Sequence, residues 1–120
     1  MAFISVDGDD IGRRITALYL TNDREGLTSF VGRVHANVRV ITDILENAGH
    51  EIIFSAADGV VAEIVGDIDT AELYKKIADV GAPKLTFSAG VGDTLQECYV
   101  ALLAAKSEGK ARLRHFKDIG

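Results

Sequence analysis

Two aspartates in the sequence are the best candidates for a metal site. Asp7 follows a short, mostly apolar run that has the composition of a buried strand, and Asp58 lies in the turn AADG between two further strand-like runs. Two carboxylates that converge at a sheet edge repel each other unless a cation lies between them, and Mg²⁺ prefers carboxylate oxygens together with substrate phosphates. We therefore predict that Asp7 and Asp58 bind Mg²⁺, or Mn²⁺ in its place, and that the carbonyl of Gly8 adds a ligand.

The residues after Gly8 open a predicted helix. Because carboxylates suit a helix N-terminus, we interpret Asp9 and Asp10 as solvated residues of a turn and N-cap rather than as metal ligands. The backbone amides of Asp10, Ile11 and Gly12 begin that helix, and amides in this position bind phosphate. Every helix has such an end, so this signal gains weight only beside a metal pair.

A group of basic residues lies near the C-terminus of the sequence. Lys106 and Lys110 are four residues apart across the end of the last predicted helix, and Arg112 and Arg114 alternate on the strand that follows. A favourable helix dipole and solubility explain isolated lysines of this kind. Four positive charges close together in an acidic protein can instead hold the distal phosphates of a triphosphate. We assign Lys106, Lys110 and Arg112 to phosphate binding.

The histidines and the cysteine give no catalytic pattern. His35, His50 and His115 are scattered, and we interpret them as surface or packing residues. Cys98 lies on the apolar face of a predicted helix and is expected in the core rather than as a nucleophile. A lone cysteine cannot form an internal disulfide, which favours a reducing compartment.

Apolar periodicity and turn residues predict nine elements in the order β-α-α-β-β-α-β-α-β. The predicted strands are 2–6, 51–55, 60–65, 84–91 and 113–116; the predicted helices begin near Ile11, before Leu27, at Asp69 or Thr70, and after Thr94. The first six elements, with the helix pair counted as one crossover, match the ferredoxin-like βαββαβ plan. We therefore predict an α+β sandwich, a ferredoxin-like palm with an antiparallel sheet and helices on one face. In that plan the first strand lies antiparallel beside the third, which brings Asp7 next to Asp58.

Length and charge limit the class of function. The 120 residues suit a single domain, 1–120, which can fold without disulfides. With 13 basic and 18 acidic side chains the net charge is −5, whereas a surface that binds long nucleic acid normally has a basic excess. No apolar run reaches the ~20 residues of a membrane span, and the N-terminus lacks the basic flank of a signal peptide. We expect a cytoplasmic protein that binds small nucleotides, without long nucleic acid or membrane.

Four segments resemble motifs of a known domain, in the same order. Residues 6–12 (VDGDDIG) resemble the first metal motif of type III CRISPR polymerases, and residues 54–59 (FSAADG) take the place of their Ser-Gly-Gly-Asp-Asp hairpin. Residues 86–92 (TFSAGVG) resemble the Ser-x-Gly-Val strand of GGDEF domains, and residues 105–110 (AKSEGK) resemble their Ala-Lys-x-x-Gly-Arg/Lys phosphate contact. Over nearly its whole length the chain resembles the palm domain of GGDEF diguanylate cyclases, class III nucleotidyl cyclases and type III CRISPR polymerases. Its small size is most similar to the stand-alone minimal CRISPR polymerases (mCpol).

This resemblance implies a metal-dependent nucleotidyltransferase that makes a cyclic nucleotide or dinucleotide signal in antiviral defence and releases pyrophosphate. The hairpin residues Ala57 and Gly59 then belong to the nucleotide site. The residues that recognise guanine in GGDEF enzymes are not evident, which favours ATP as the substrate. Joining two nucleotides requires two bound nucleotides, so a homodimer or a larger homo-oligomer is expected.

The hairpin departs from the motif that it resembles. Ala56 and Ala57 replace two glycines, so a positive φ at either position would be strained, and Gly59 replaces the second acid. Class III cyclases, which use two aspartates and a backbone carbonyl, resemble this version better. Two alternatives stay open: a catalytically degenerate palm that binds or senses a nucleotide, and a ferredoxin-like regulatory module for another small ligand.

Overall fold

The computed structural model describes residues 2–119, which fold into the predicted order of elements. The strands are β1 (Ala2–Gly8), β2 (Glu51–Ala56), β3 (Gly59–Ile64), β4 (Phe87–Gly92) and β5 (Leu113–His115); the helices are α1 (Ile11–Leu20), α2 (Arg24–Asn47), α3 (Thr70–Gly81) and α4 (Leu95–Ser107); a 3₁₀ turn, Phe116–Asp118, follows β5. Two strand boundaries differ from the prediction by more than one residue. β1 continues through Asp7 and Gly8, and β4 begins at Phe87 rather than at residue 84.

Capping residues mark the ends of several helices. The Asp69 carboxylate accepts hydrogen bonds from two amides in the first turn of α3, and Gly49, with φ of +90°, follows the end of α2. At α4 the hydroxyl of Thr94 accepts from the amide of Glu97 (3.0 Å). The Glu97 carboxylate reaches back to the amide of Asp93 (2.9 Å) rather than to that of Thr94, so the capping box is displaced by one residue.

The sheet has the strand order β2-β3-β1-β4-β5. β1 pairs antiparallel with both β3 and β4, and β2 pairs antiparallel with β3, as predicted. β5 pairs parallel to β4 and departs from the all-antiparallel prediction, because α4 provides the crossover that a parallel pair requires. In the central ladders Asp7 lies opposite Gly59 of β3 and Ser88 of β4.

α1, α2 and α3 pack on one face of the sheet, where the main core lies. Its sheet residues are Ile4, Val6, Val60, Ala62, Ile64, Phe87, Ala89 and Val91, which alternate along the strands and cluster with buried residues of these helices. On α2 the buried residues recur every three or four positions, from Phe30 to Leu45, as in an amphipathic helix. None of the helices in residues 2–119 is long and apolar enough to cross a membrane.

α4 packs on the opposite face of the sheet. A Cβ added at Gly90 of β4 would lie 2.2 Å from the backbone nitrogen of Leu102 and 2.3 Å from the carbonyl oxygen of Cys98, so this strand contacts the backbone of α4 directly. The palm-type sandwich is therefore as predicted, whereas the expectation of helices on one face holds only for α1 to α3. The βαββαβ plan ends at β4 and does not determine on which side a further helix packs.

Candidate functional site

The end of β1 meets the β2–β3 turn, as the element order predicts. The amide of Gly8 donates to the carbonyl of Asp58 (2.8 Å), and Asp7 lies opposite Gly59 in the ladder. Burial raises the pKa of Asp7 above its ordinary value; Lys106 opposes this shift, and the negative charge of Asp58 adds to it. The two carboxylates therefore lie close enough to repel each other, which is the electrostatic condition under which a divalent cation binds.

Gly59 leaves room for the carboxylate of Asp7. A Cβ at position 59 would lie 2.9 Å from the carbonyl oxygen of Val6 and 3.0 Å from Oδ1 of Asp7. An acidic side chain here, as in the hairpin motif that the turn resembles, would have to displace Asp7. Glycine at position 59, in place of the second acid of the motif, therefore allows Asp7 to keep its observed position.

The turn between β2 and β3 contains the predicted backbone strain. Ala57 has a left-handed φ of +50°, whereas Ala56 ends β2. A non-glycine residue in this conformation costs about 1–2 kcal/mol. Such strain is common where a turn positions a functional group, and Ala57 directly precedes Asp58.

The prediction that Asp9 is a solvated turn residue is wrong. It is buried, and its carboxylate accepts hydrogen bonds from the hydroxyls of Thr86 and Ser88 (both 2.7 Å) and from the amide of Ala111 (3.0 Å). Burial opposes its ionisation, but these hydrogen bonds and Lys106 together hold the pKa of Asp9 below its ordinary value. Asp9 is therefore a structural anion that joins β1, β4 and the loop before β5.

Lys106 places a positive charge among the predicted metal ligands. Its Nζ donates to the carbonyl oxygen of Gly8 (2.7 Å) and lies 3.0 Å from Oδ2 of Asp7 and 3.2 Å from Oδ1 of Asp9. Two of these groups, Asp7 and the Gly8 carbonyl, are the predicted ligands of Mg²⁺. An ammonium group therefore lies among the groups that the metal hypothesis assigns to Mg²⁺.

Asp10 precedes α1, but its side chain does not cap the helix, contrary to the prediction. The residue has a φ of +60°, and its carboxylate accepts a hydrogen bond from Nζ of Lys110. Since α1 begins at Ile11, the amides of Ile11 and Gly12 lie in its first turn, where N–H groups have no acceptor within the helix. Three successive left-handed residues, Gly109 to Ala111, orient Lys110 towards this edge.

The two predicted phosphate-binding lysines reach the acidic edge, and the arginines have other partners. Arg112 donates from Nε to the carbonyl of Lys110 (3.1 Å). Arg114 pairs with Glu108 and donates to the carbonyl of Asp118 (3.3 Å). The predicted cluster of four positive charges is therefore divided, with Lys106 and Lys110 at the site.

A cavity of about 240 Å³ opens beside Asp58. It is lined by Ile11, Gly12, Ile15, Val31, Val34, His35, Ala57 and Asp58. The lining is mostly apolar with few polar groups, as in many small-molecule sites. His35, predicted as a surface or packing residue, is exposed and contributes a ring to this cavity.

His50, His115 and Cys98 have the packing roles that the sequence predicts. The Nδ1 of His50 accepts a hydrogen bond from the amide of Val65 (3.1 Å), and His115 pairs with Thr70 (2.8 Å). Cys98 is on the buried side of α4. Within residues 2–119, no three His, Cys, Asp or Glu side chains are arranged to hold a metal ion. A divalent ion would thus depend on two carboxylates and one carbonyl, which suits Mg²⁺ because this ion keeps water and phosphate ligands.

The fold and the arrangement at this sheet edge define a palm domain of the nucleotide cyclase and polymerase class. The family model of the minimal CRISPR polymerase domain (mCpol) matches residues 3–116, and the chain belongs to this family. A comparison with curated proteins gave no match.

Two solved GGDEF domains share the fold. The GGDEF domain of DgcB from Caulobacter crescentus, determined in complex with c-di-GMP, has a TM-score of 0.70 at 11% identity, over 98% of this chain and 78% of that one. The GGDEF domain of PA1120 (TpbB or YfiN) from Pseudomonas aeruginosa has a TM-score of 0.65 at 13% identity, over 95% and 75% of the two chains. Family and fold together indicate a function of the nucleotide cyclase or polymerase type.

Proposed function

We propose that this protein is a metal-dependent nucleotidyltransferase that makes a cyclic dinucleotide from ATP, with pyrophosphate as the second product. The observation that carries the proposal is the meeting of Asp7 and Asp58 at one sheet edge, between the α1–α2 cavity and two lysines. The family to which the chain belongs supports the same class of reaction and a role in antiviral defence.

The donor nucleotide would bind with its base in the cavity between α1 and α2. Ile11, Ile15 and Val34 provide apolar contacts for a base, and His35 provides a ring at the opening. From there the ribose and the α-phosphate extend past Ala57 towards Asp58. This placement leaves the β- and γ-phosphates near the first turn of α1, whose free amides favour anions.

The lysines would exchange partners when the triphosphate binds. Lys106 and Lys110 are paired with Asp7, Asp9 and Asp10 in this structure. A bound Mg²⁺ would neutralise the triphosphate and lower the pKa of the attacking ribose hydroxyl. The carboxylate of Asp7 then no longer needs Lys106 as its counter-ion. Lys110 becomes available for the distal phosphates, and Lys106 can contact them while it stays paired with the buried Asp9.

In the reaction, the oxygen of a ribose hydroxyl forms a bond to the α-phosphorus of a second ATP. The bond from that phosphorus to the bridging oxygen breaks, and pyrophosphate leaves with the electron pair. The hydroxyl proton passes to water or to a substrate phosphate oxygen. Repeating the step with the roles of the nucleotides reversed closes the ring and releases a second pyrophosphate.

One carboxylate pair activates one α-phosphate, so a second copy of the chain would supply the other nucleotide. A symmetric homodimer presents two equivalent sites and allows both bonds to form. ATP is the favoured substrate, and the cytoplasm, where ATP is abundant, is the expected compartment.

Substitution of the aspartates tests whether this edge is catalytic. Asp7→Asn and Asp58→Asn each remove a ligand charge at a partly exposed edge, so we expect pyrophosphate release from ATP and Mg²⁺ to fall to background with the fold retained. Asp79→Asn, the same change at an exposed position of α3, should leave the rate unchanged. Near-normal pyrophosphate release by both edge variants would show that the metal pair is assigned wrongly.

A nucleotide sensor without catalysis is the second candidate. The absence of a second hairpin acid at Gly59 and the strained alanine at position 57 favour it. A sensor would bind ATP in calorimetry and leave it intact after prolonged incubation with Mg²⁺. Turnover of ATP or GTP by the wild-type chain excludes this candidate.

A further inference from the structure

An open groove of about 700 Å³ lies on the α4 face of the sheet. α4 covers β4 and β5 on this face, and it leaves part of β2 and β3 uncovered beside it. Phe54 of β2 and Val61 of β3, which are opposite each other in the ladder, form the floor of the groove. Leu95, Tyr99 and Leu103 of α4 form its wall.

Four large apolar or aromatic side chains of this groove lie side by side and are each about half exposed. The exposed fraction is 54% for Phe54, 57% for Tyr99, 50% for Leu95 and 49% for Leu103. α4 buries Cys98, Ala101, Leu102 and Ala105 against the sheet on its other side. A helix that is apolar on both sides is typical of one that is covered on both sides. A contiguous exposed patch of this kind marks a binding surface.

We propose that the groove is the surface through which two copies of this chain associate. The inference rests on the proposed function, which requires a second nucleotide from a second chain. The lining of the groove contains one acid, Asp7, and one base, Lys106, so this surface is locally neutral although the chain carries a net charge of −5. Two copies can therefore meet here without the repulsion that their net charges produce elsewhere.

The size of the patch fits a dimer better than a single small ligand. Large apolar side chains that are about half exposed contribute about 400–500 Å² together, close to the apolar share of the ~800 Å² that each partner buries in a standard interface. The stripe from Leu95 to Leu103 extends over about 12 Å of helix, which is longer than one nucleobase.

The groove is continuous with the candidate site. Asp7 and Lys106 lie at its end, so an occupant of the groove reaches the edge where the α-phosphate would be bound. A two-fold axis along the strands would place both catalytic edges at the same end of the dimer. Each site is then completed by the nucleotide that the partner holds.

Sedimentation equilibrium of matched tyrosine variants tests the proposal. We expect the wild-type chain to have about twice the monomer mass of 12.8 kDa. Tyr99→Asp should reduce the mass to that of the monomer, because a buried charge is costly at an apolar interface. Leu103→Glu should do the same. Tyr19→Asp is the control, since Tyr19 is 69% exposed on α1, outside the groove, and should stay dimeric. Circular dichroism checks that each variant is folded.

Three results would overturn the proposal: a monomeric wild type at all concentrations, folded groove variants that remain dimeric, or equal dissociation of the Tyr19→Asp control. Calorimetry with a non-hydrolysable ATP analogue can give a fourth result that would overturn it. If Tyr99→Asp loses bound nucleotide without any change in mass, the groove binds a nucleotide instead. The mass does not depend on turnover, so a dimer without product contradicts only the proposed function. A monomer that makes a cyclic dinucleotide contradicts this interface and the need for a second chain, but not the reaction itself.

Discussion

The two lysines at the site differ in how firmly they are held. Lys106 is mostly buried and balances Asp9, whose carboxylate lies in the interior. A buried charge that loses its partner destabilises a fold by several kcal/mol in typical cases, about 3–5. Lys110 and Asp10 are both about one-third exposed, and pairs of this kind contribute little to stability. Lys110 is therefore the lysine whose removal reports on ligand binding with the least effect on folding.

Truncation of these lysines should weaken triphosphate binding more than monophosphate binding. For Lys110→Ala we expect a loss of about 1.5–3 kcal/mol in affinity for ATP, provided that the lost charge-assisted hydrogen bond is shielded from solvent, and little change for AMP. Lys106→Ala should show the same selectivity together with reduced stability, because Asp9 loses its counter-ion. Calorimetry with ATP and AMP measures both affinities, and Lys75→Ala on the exposed side of α3 is the control. Equal weakening for ATP and AMP would place the lysines away from the distal phosphates.

At the residue scale, the sequence predicts those contacts between side chains that follow from the order of the strands and helices. Asp7 and Asp58 meet because β1 and β3 are neighbours in the βαββαβ plan, and this follows from the pattern alone. The role of Asp9 does not follow, because acids after a strand are usually solvated. The sequence does contain one sign of this role. Thr86 and Ser88 place two hydroxyls at alternate positions of an apolar strand, and this pattern indicates a polar partner on the face of the sheet that they share.

At the scale of elements, the contact between α4 and β4 positions Lys106. The helix approaches the strand so closely that no side chain fits at Gly90. This approach carries the C-terminal turn of α4, and with it Lys106, to the end of β1. The position of the helix that supplies the counter-ion therefore depends on this close approach, which Gly90 shares with Gly92.

Gly90→Ala should disrupt this contact. The added methyl group meets helix backbone, which cannot rotate away, so we expect a loss of about 3 kcal/mol in the free energy of unfolding. Gly32→Ala is the matched control in α2, where an added Cβ has no neighbour within 4 Å. That substitution should stabilise the protein by about 0.5–1 kcal/mol, because alanine is the better helix former. Urea denaturation measures both, and similar stabilities for the two variants would contradict the close packing of α4.

His50, which lies between α2 and β2, should make the stability of the protein depend on pH. Burial lowers the pKa of His50 below its ordinary 6.5, and its Nδ1 accepts a hydrogen bond only when neutral. The unfolded chain therefore binds more protons in this range, so the stabilisation is complete above pH 6.5 and is lost as the pH falls through the lower, folded-state pKa. His50→Asn keeps an acceptor near the amide of Val65 and does not titrate. We expect the stability of the wild type, relative to this variant, to fall on acidification; parallel pH profiles would contradict the assignment.

The order of the elements could be predicted from the sequence, and the side on which α4 packs could not. Periodicity and caps define each helix and strand locally, as Asp69 and Thr94 do for α3 and α4. The layer in which a helix packs depends on long-range contacts. The glycines at positions 90 and 92, which alternate with core residues of β4, were the signal that a helix backbone approaches that face.

At the scale of the whole molecule, the candidate site lies between two openings. The α1–α2 cavity adjoins Asp58 on one face of the sheet, and the groove beside α4 adjoins Asp7 on the other. A nucleotide held in the first and a partner chain held in the second would meet at the aspartate pair. If dimers are required, the rate per chain should fall on dilution, so that total activity decreases faster than linearly with protein concentration.

The mass of the product made from ATP and Mg²⁺ tests the central claim most directly. After incubation of the purified chain, chromatography and mass spectrometry should find pyrophosphate and a cyclic dinucleotide that contains two adenosine monophosphate units. Asp58→Asn, measured in parallel, should give neither product. Cyclic AMP as the sole nucleotide product, formed at a rate proportional to protein concentration, would mean that the hydroxyl attacks the α-phosphate of its own nucleotide within one subunit, and would contradict the account.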